Sequence, residues 1–568
     1  MSAIATGAAS AASLTGPRHP LPGVRYRDPV TVQQFLASGA WRASTMGAAL
    51  TEAARVAGDH LALVAGDDRL TWADLDRRSD DLAVGLLSLG LAPGDRIVFQ
   101  MGTGTAIVLA FHACWKAGVI PVCAVPAYRA YEIGALVERS GAVAQLVEPG
   151  SAGSFDLIGF AAELRAAHPG LRYLLVAGTE APDDASTVAE VETAGAAAEP
   201  CRARALLDSV APSPEDVFAF QLSGGSTGVP KIIPRFHGEY LAYAAAWADS
   251  VRLTADDVLL WPLSLAHNAG MIYMLIPTLV RRSRLVLLSR FEVESFLAAV
   301  ETEGVTIGCA LGPMGPRLLQ AGLQGRDLSS LRYCISMNQS ETIERHLGVP
   351  CSNFFGITEG LLLGSAPEDA EAARHFTNGS PVSRFDEVKV LAVGGDAEVP
   401  HGEIGELCFR GPSTLTAYVG SDEATRVAFT ADGFFRTGDL ARAVEHQGRT
   451  FYVFEGRNRD NIDRGGEKFG VVEIEELMAC HPAITEARVV SMPDPELFER
   501  VCAFVTLTPG AGAPTVEEVG AFLLAQGLAK FKLPERIEVI SEFPTTGVGK
   551  LDRGALRRLA AAIVEGEA

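Results

Sequence analysis

The chain has 568 residues, 48% of them hydrophobic, and a formal net charge of −21. That length exceeds what one hydrophobic core accommodates, so two or more domains are expected. The acidic balance excludes a broad nucleic-acid-binding surface but leaves room for one local positive site that takes a nucleotide.

Residues 1–17 are rich in Ala, Ser and Gly and have neither a basic start nor a long apolar stretch. They read as a disordered tail, extending to about residue 20, rather than a signal peptide. Leu70 to Leu75 reads as a strand end and helix start, with Thr71 as the cap. Leu75, Leu82, Leu86 and Leu89 then recur at helical spacing. A strand over 95–100, a helix over 106–117 and a strand over 119–124 follow. The most apolar region, 106–125, is interrupted by His112, Lys116 and Pro121, so it is a buried helix and strand and not a membrane span. The alternation resumes from Asp257, with a strand over 285–288 and a helix over 296–303. Such alternation implies an α/β fold with parallel-type sheets flanked by helices. Residues 178–213, rich in Ala, Glu, Asp and Pro, read as a surface excursion, and 402–411 as a hairpin. A charged break at 457–459 marks a domain boundary, placed at 458/459. Beyond it lies a compact α+β unit, with helices over 471–480 and 515–526 and strands near 487–491, 502–507 and 536–539. Nine cysteines lie scattered with no Cys-x-x-Cys pair, which fits reduced thiols in a cytoplasmic protein.

The stretch Ser223-Gly224-Gly225-Ser226-Thr227-Gly228, closed by Lys231, follows the apolar run Val217 to Phe220. Glycines let the backbone approach a ligand, hydroxyls add donors and Lys231 adds charge, which suits a polyphosphate. A P-loop is excluded, because Pro230 precedes Lys231 and Ile232 follows it. Gly224 to Gly228 matches the Gly-x-Ser-x-Gly elbow of serine hydrolases, with Ser226 as nucleophile. That elbow must feed straight into a helix, which Pro234 would interrupt. A flexible surface loop is the third reading, and the loop alone does not decide among them.

Four further motifs follow: Asn353-Phe354-Phe355-Gly356-Ile357-Thr358-Glu359, Thr437-Gly438-Asp439, Gly456-Arg457 with Asp460, and Thr546-Gly547-Val548-Gly549-Lys550. In this order they resemble the adenylate-forming enzymes, which comprise acyl-CoA ligases, peptide-synthetase adenylation domains and luciferases. The likeness is strongest to stand-alone aryl acid–AMP ligases such as the 2,3-dihydroxybenzoate–AMP ligases, through His267-Asn268, the run Asn461 to Lys468, and Phe543 to Lys550. The resemblance implies a large N-terminal domain (21–458) with a small β-subdomain, and a mobile C-terminal domain (459–568).

It further implies that ATP and an aryl acid give aryl-AMP and pyrophosphate, and that a carrier-protein phosphopantetheine thiol then takes the acyl group. CoA is the alternative acceptor. Under this likeness Ser223, Gly224, Gly225, Ser226, Thr227, Gly228 and Lys231 hold phosphates, and Glu359 binds Mg²⁺ with help from Thr227 and Thr358. Phe354 and Phe355 line the adenine, and Asp439 and Arg457 meet the ribose. Lys550 is the adenylation catalyst, and His267 lies beside the reacting carboxylate. Arg459 is the hinge, at a position where the family usually has Asp or Lys. Gly465, Gly466, Glu467 and Lys468 form the face presented for thiolation. Asn268, Tyr273 and Met337 belong to the substrate pocket, which departs from the family pattern. Ala269-Gly270 replace an aromatic-Pro pair, Tyr273 replaces a Ser, and Met337-Asn338-Gln339 replace Gly-Gly-Ala. No membrane and no nucleic acid is implied as a partner.

Overall fold

Strands and amphipathic helices alternate along most of the chain and build two seven-stranded sheets. The structure, a computed structural model, describes residues 16–223, 230–312, 314–337, 339–457, 461–544 and 551–567. One sheet runs Cys351–Asn353, Tyr333–Ser336, Ile307–Ala310, Val258–Trp261, Arg284–Leu287, Leu61–Ala65, Asp68–Thr71, parallel except for its last pair. The other runs Ser186–Thr187, Tyr173–Val176, Ala144–Val147, Arg96–Gln100, Ile120–Ala124, Val217–Ser223, Lys231–Phe236, again parallel except for its last pair. Helices between the sheets complete one shared core, the arrangement expected of α/β chains.

Local sequence explains the helices that matter here. Thr71 caps helix Trp72–Leu89, its hydroxyl accepting from the Asp74 N–H while Asp74 returns a bond to the Thr71 N–H. Helix Thr105–Ala117 is buried almost all round. It tolerates Lys116 because Asp76 and Asp80 each lie 2.6 Å from the ammonium. Burial pushes the His112 imidazole down to about 3, so it is neutral.

Three expectations are corrected. Residues 178–213, read as a surface excursion, lie at the surface but are not irregular, because they carry helices Val188–Ala196 and Pro200–Val210. The first packs so closely on Trp72–Leu89 that a Cβ on Gly195 would lie 1.7 Å from the Asp81 carbonyl oxygen. The overlooked signal was the Thr187/Glu190 capping box. Residues 402–411 are not a hairpin, because Gly405–Arg410 is an inner strand between Glu387–Leu391 and Phe435–His446. Residues 16–20 are not a free tail. The Asp216 carboxylate accepts from the backbone N–H groups of Arg18 and His19, and the Arg18 guanidinium donates to the Ser209 and Ala211 carbonyls. Residues 1–15 lie outside the described residues.

The C-terminal unit has its own sheet, Glu467–Gly470, Asn461–Arg464, Phe498–Leu507, Ile484–Asp494, with Arg536–Val539 added in parallel, and its own core around Ile462, Phe469, Ile474 and Val501. The boundary expected at 458/459 lies outside the described residues. The unit docks through Lys532, whose ammonium is 2.9 Å from Glu132 of the large domain and 2.5 Å from Glu473 of its own unit. All three side chains are at most 1% exposed. Among the described residues no helix is long and apolar enough to cross a membrane.

Candidate active site

Strand Val217–Ser223 pairs antiparallel with Lys231–Phe236, and Ser223 faces Lys231 at the open end. The expected phosphate loop, Gly224, Gly225, Ser226, Thr227 and Gly228, joins these two strands and lies outside the described residues. Since the chain continues into a strand and not a helix, the hydrolase-elbow reading of Ser226 loses its structural requirement. Pro234 is accommodated because its strand is the sheet edge.

Ser223 and Lys231 open into a cleft shared with Thr358, Glu359 and Asp439. The Lys231 ammonium sits 4.6 Å from the centre of the Tyr418 ring, and the Tyr418 hydroxyl donates to Glu359 Oε1 at 2.8 Å. Tyr418 was not singled out from the sequence, since it comes 59 residues after Glu359 and only folding joins them. Glu359 Oε2 takes no hydrogen bond from the described residues. No group of three or more His, Cys, Asp or Glu side chains able to hold a metal occurs among the described residues. A cation here would rest on one carboxylate, with substrate and water completing its shell, which is how Mg²⁺ is commonly held. Asp439 is 3% exposed on strand Phe435–His446, opposite Arg457 in the register, and its N–H donates to Thr437 Oγ1 at 3.0 Å. Phe354 and Phe355 differ from expectation. Phe354 turns into the core, its ring 4.6 Å from Trp247, and Phe355 packs at 5.7 Å on Phe454. Neither is among the residues lining the cleft, whereas Gly356 and Ile357 are. Alternation along the chain sends successive side chains to opposite faces.

At the other end stand His267 and Asn268, above a floor that includes Cys123 and Gln221. The Ala269 N–H donates to His267 Nδ1 at 3.2 Å, so the neutral ring carries its proton on Nε2. Although the ring is open to the cleft, the protein around it and then the Lys468 ammonium push the imidazole down to about 4. Residues Gly270–Leu275 form a π-helical turn. This wide turn carries Tyr273 out of the register an α-helix would set. Its ring lies 4.7 Å from Trp247 in the core, and its hydroxyl end abuts Gly356, where a Cβ would come within 2.3 Å of it. Tyr273 and Met337 therefore do not line the cleft as expected. Tyr273 instead fills the space behind Gly356, and Met337 uses its carbonyl to accept from Asn378.

The C-terminal unit closes the cleft with Asn461, Glu467 and Lys468. Gly465 and Gly466 make the turn beside them, with φ of 62° and 96°, values that favour glycine. Burial, and then the Asp463 carboxylate, push the Glu467 carboxyl up to about 7. Lys550 and Arg459 lie outside the described residues. Leu551, next after Lys550, packs against the C-terminal unit's apolar cluster that includes Val490, Met492 and Leu556.

The profile of the AMP-binding enzymes matches residues 50–419, and that of the AMP-binding enzyme C-terminal domain matches residues 473–550. A salicylyl-CoA synthase / salicylate adenylyltransferase of a Streptomyces species is 37% identical over 92% of this chain and 95% of its own. A salicyl-AMP ligase / salicyl-S-ArCP synthetase of Mycobacterium tuberculosis is 34% identical over 92% of both chains. Among solved structures, Mycobacterium smegmatis MbtA in its apo form is similar with a TM-score of 0.71 and 32% identity, covering 94% of this chain and 98% of its own. With both parts of the chain matched in this way, the chain belongs to the AMP-binding, adenylate-forming enzymes, close to the aryl acid–AMP ligases among them.

Proposed function

We propose that this protein uses ATP to activate an aryl carboxylic acid and then passes the acyl group to the phosphopantetheine thiol of a carrier protein, in siderophore or related natural-product assembly. The observation that supports this most is a single cleft joining the His267-Asn268 end to the Asp439-Glu359 end. Two anions must meet there, so charge has to be neutralised where it develops. In the first step a substrate carboxylate oxygen bonds to the α-phosphorus as the bond to the β-phosphate breaks, and pyrophosphate leaves. Residues 223–228 and Lys231 hold the phosphates, Asp439 accepts from the ribose hydroxyls, and Arg457 lies near the same sugar. The Glu359 oxygen that takes no hydrogen bond from the described residues would hold Mg²⁺, which would supply positive charge to shield the phosphates. His267 donates a hydrogen bond from its Nε2–H to the carboxylate and stays neutral. Lys550 reaches the reacting oxygens from the C-terminal loop in this step and withdraws in the next, with Arg459 at the pivot. Glu467 and Lys468 face the cleft while the thiol attacks the acyl carbon and AMP departs.

CoA is the second acceptor to consider, favoured by the relative named for salicylyl-CoA synthesis. The test is ATP–pyrophosphate exchange across hydroxylated and heterocyclic aryl acids, followed by separate loading of CoA and of carrier protein. Acid-dependent exchange with transfer to carrier protein is expected. No exchange with any aryl acid would refute the proposal, and efficient transfer to CoA alone would replace the acceptor.

A further inference from the structure

Behind the cleft, helix His237–Ser250 holds Tyr240, which is 1% exposed. Its ring is packed at 5.2 Å against Phe218, and the Arg235 guanidinium stands 4.7 Å from its centre. Arg235 is itself tied to Glu239, with both side chains buried. Tyr240 therefore has little freedom to move. Its hydroxyl donates to Oδ1 of Asn268, the one hydrogen bond it makes among the described residues. The direction of that bond follows from chemistry. A phenol buried this deeply needs an acceptor for its proton, and only the amide oxygen supplies a strong one. Reversing the amide would set its N–H₂ against the phenol oxygen and leave the phenol proton unpaired.

With Oδ1 turned to Tyr240 behind the cleft, Asn268 presents Nδ2 to the cleft it lines. Nδ2 makes no hydrogen bond to the described residues. The preceding residue, His267, also offers a donor, because its Nδ1 is occupied by the Ala269 N–H. Two adjacent donors thus face the acid end of the cleft.

We propose that Tyr240 is a positioning residue for substrate selection, which fixes the Asn268 amide so that the ring substituent beside the carboxylate must be a hydrogen-bond acceptor. This rests on the aryl-acid reading above. An ortho-hydroxyl satisfies the requirement, because its proton turns to the neighbouring carboxylate and leaves oxygen lone pairs for Nδ2. A ring nitrogen does the same. An ortho-amino group does not. One N–H turns to the carboxylate, the other points at Nδ2, and the conjugated nitrogen is a poor acceptor.

The experiment compares kcat/KM in ATP–pyrophosphate exchange for salicylate, anthranilate and benzoate, using the full-length protein. Wild type is expected to favour salicylate over anthranilate by at least about tenfold. Tyr240→Phe frees the amide to turn, so this ratio should collapse by about tenfold, with benzoate, which carries nothing to read, falling far less than salicylate. Asn268→Asp keeps the Tyr240 bond but presents an acceptor, so the preference should reverse toward anthranilate. That arm decides the matter if Tyr240→Phe fails to fold. Wild-type preference for anthranilate, or an equal loss on all three acids in Tyr240→Phe with no reversal in Asn268→Asp, would overturn the inference while leaving the ligase assignment standing. Absence of exchange with every aryl acid would instead remove the ligase reading, and this inference with it.

Discussion

Replacing Lys532 with Met tests how the C-terminal unit is held. In the wild type one ammonium serves two buried carboxylates, Glu132 across the domain boundary and Glu473 within the unit. Methionine fills a similar volume but leaves two carboxyl groups facing each other without a cation. Removing one partner of a buried ionic cluster costs about 3–5 kcal/mol. The pH dependence has a definite sign. Burial pushes the Glu473 carboxyl up to about 7 even with Lys532 present, against an ordinary value of 4.5. A carboxyl raised in the folded state adds stability below its unfolded value and loses that contribution as pH rises through about 7. Without the ammonium the Glu473 carboxyl rises further, so the variant holds an additional proton when folded. Its deficit should therefore shrink by about 1–2 kcal/mol between pH 8 and pH 6. All five tryptophans lie at or before Trp261, so their emission follows the large domain, whereas far-UV circular dichroism follows both units. Urea unfolding at pH 8 should show an early dichroic phase in the variant, ahead of the tryptophan transition. Glu132→Gln retains the Lys532–Glu473 pair and should give a smaller shift in the same direction. A dichroic transition unchanged at pH 8, or a deficit that grows as pH falls, would show that Lys532 does not hold the unit as described.

Lys550→Ala should cripple adenylation yet spare transfer from supplied aryl-AMP, and an equal loss in both half-reactions of folded protein would contradict its assigned role. Tyr418→Phe should raise the Mg²⁺ concentration needed for half-maximal exchange, because Glu359 loses the hydroxyl that orients it, with Glu359→Gln having the larger effect. Superimposable magnesium titrations for wild type and both variants would remove Glu359 from the metal site. Tyr273→Ser empties core space between Trp247 and Gly356, so it should destabilise the large domain by about 3–5 kcal/mol in tryptophan-monitored unfolding. It should also admit bulkier aryl acids. A stable variant with unaltered selectivity would mean that Tyr273 does not support the cleft wall from behind Gly356.

The α/β fold and the two parts of the chain were legible from residues alone, because they rest on local rules, whereas the nucleotide motifs were read through their resemblance to the adenylate-forming enzymes. Apolar periodicity sets strand and helix, as with Leu75 to Leu89, and glycines with hydroxyls mark where a backbone can approach phosphate. His112, Lys116 and Pro121 inside the apolar run 106–125 already argued against a membrane span, and the structure shows how Lys116 is tolerated there, with Asp76 and Asp80 on its ammonium. Helix Val188–Ala196 was missed because its composition outweighed its capping box. The remaining decisions belong to tertiary structure. Whether Phe354 lines a nucleotide or fills a core depends on which face of its chain meets Trp247. The direction of Tyr273 depends on one π-helical turn, a departure that no periodicity rule anticipates. Tyr418 reaches Glu359, Tyr240 reaches Asn268 and Lys532 reaches Glu132 only after distant segments pack together. Motif spacing names the groups that carry the chemistry, but the orientation of an amide or the partner of an ammonium is set by neighbours from elsewhere in the chain.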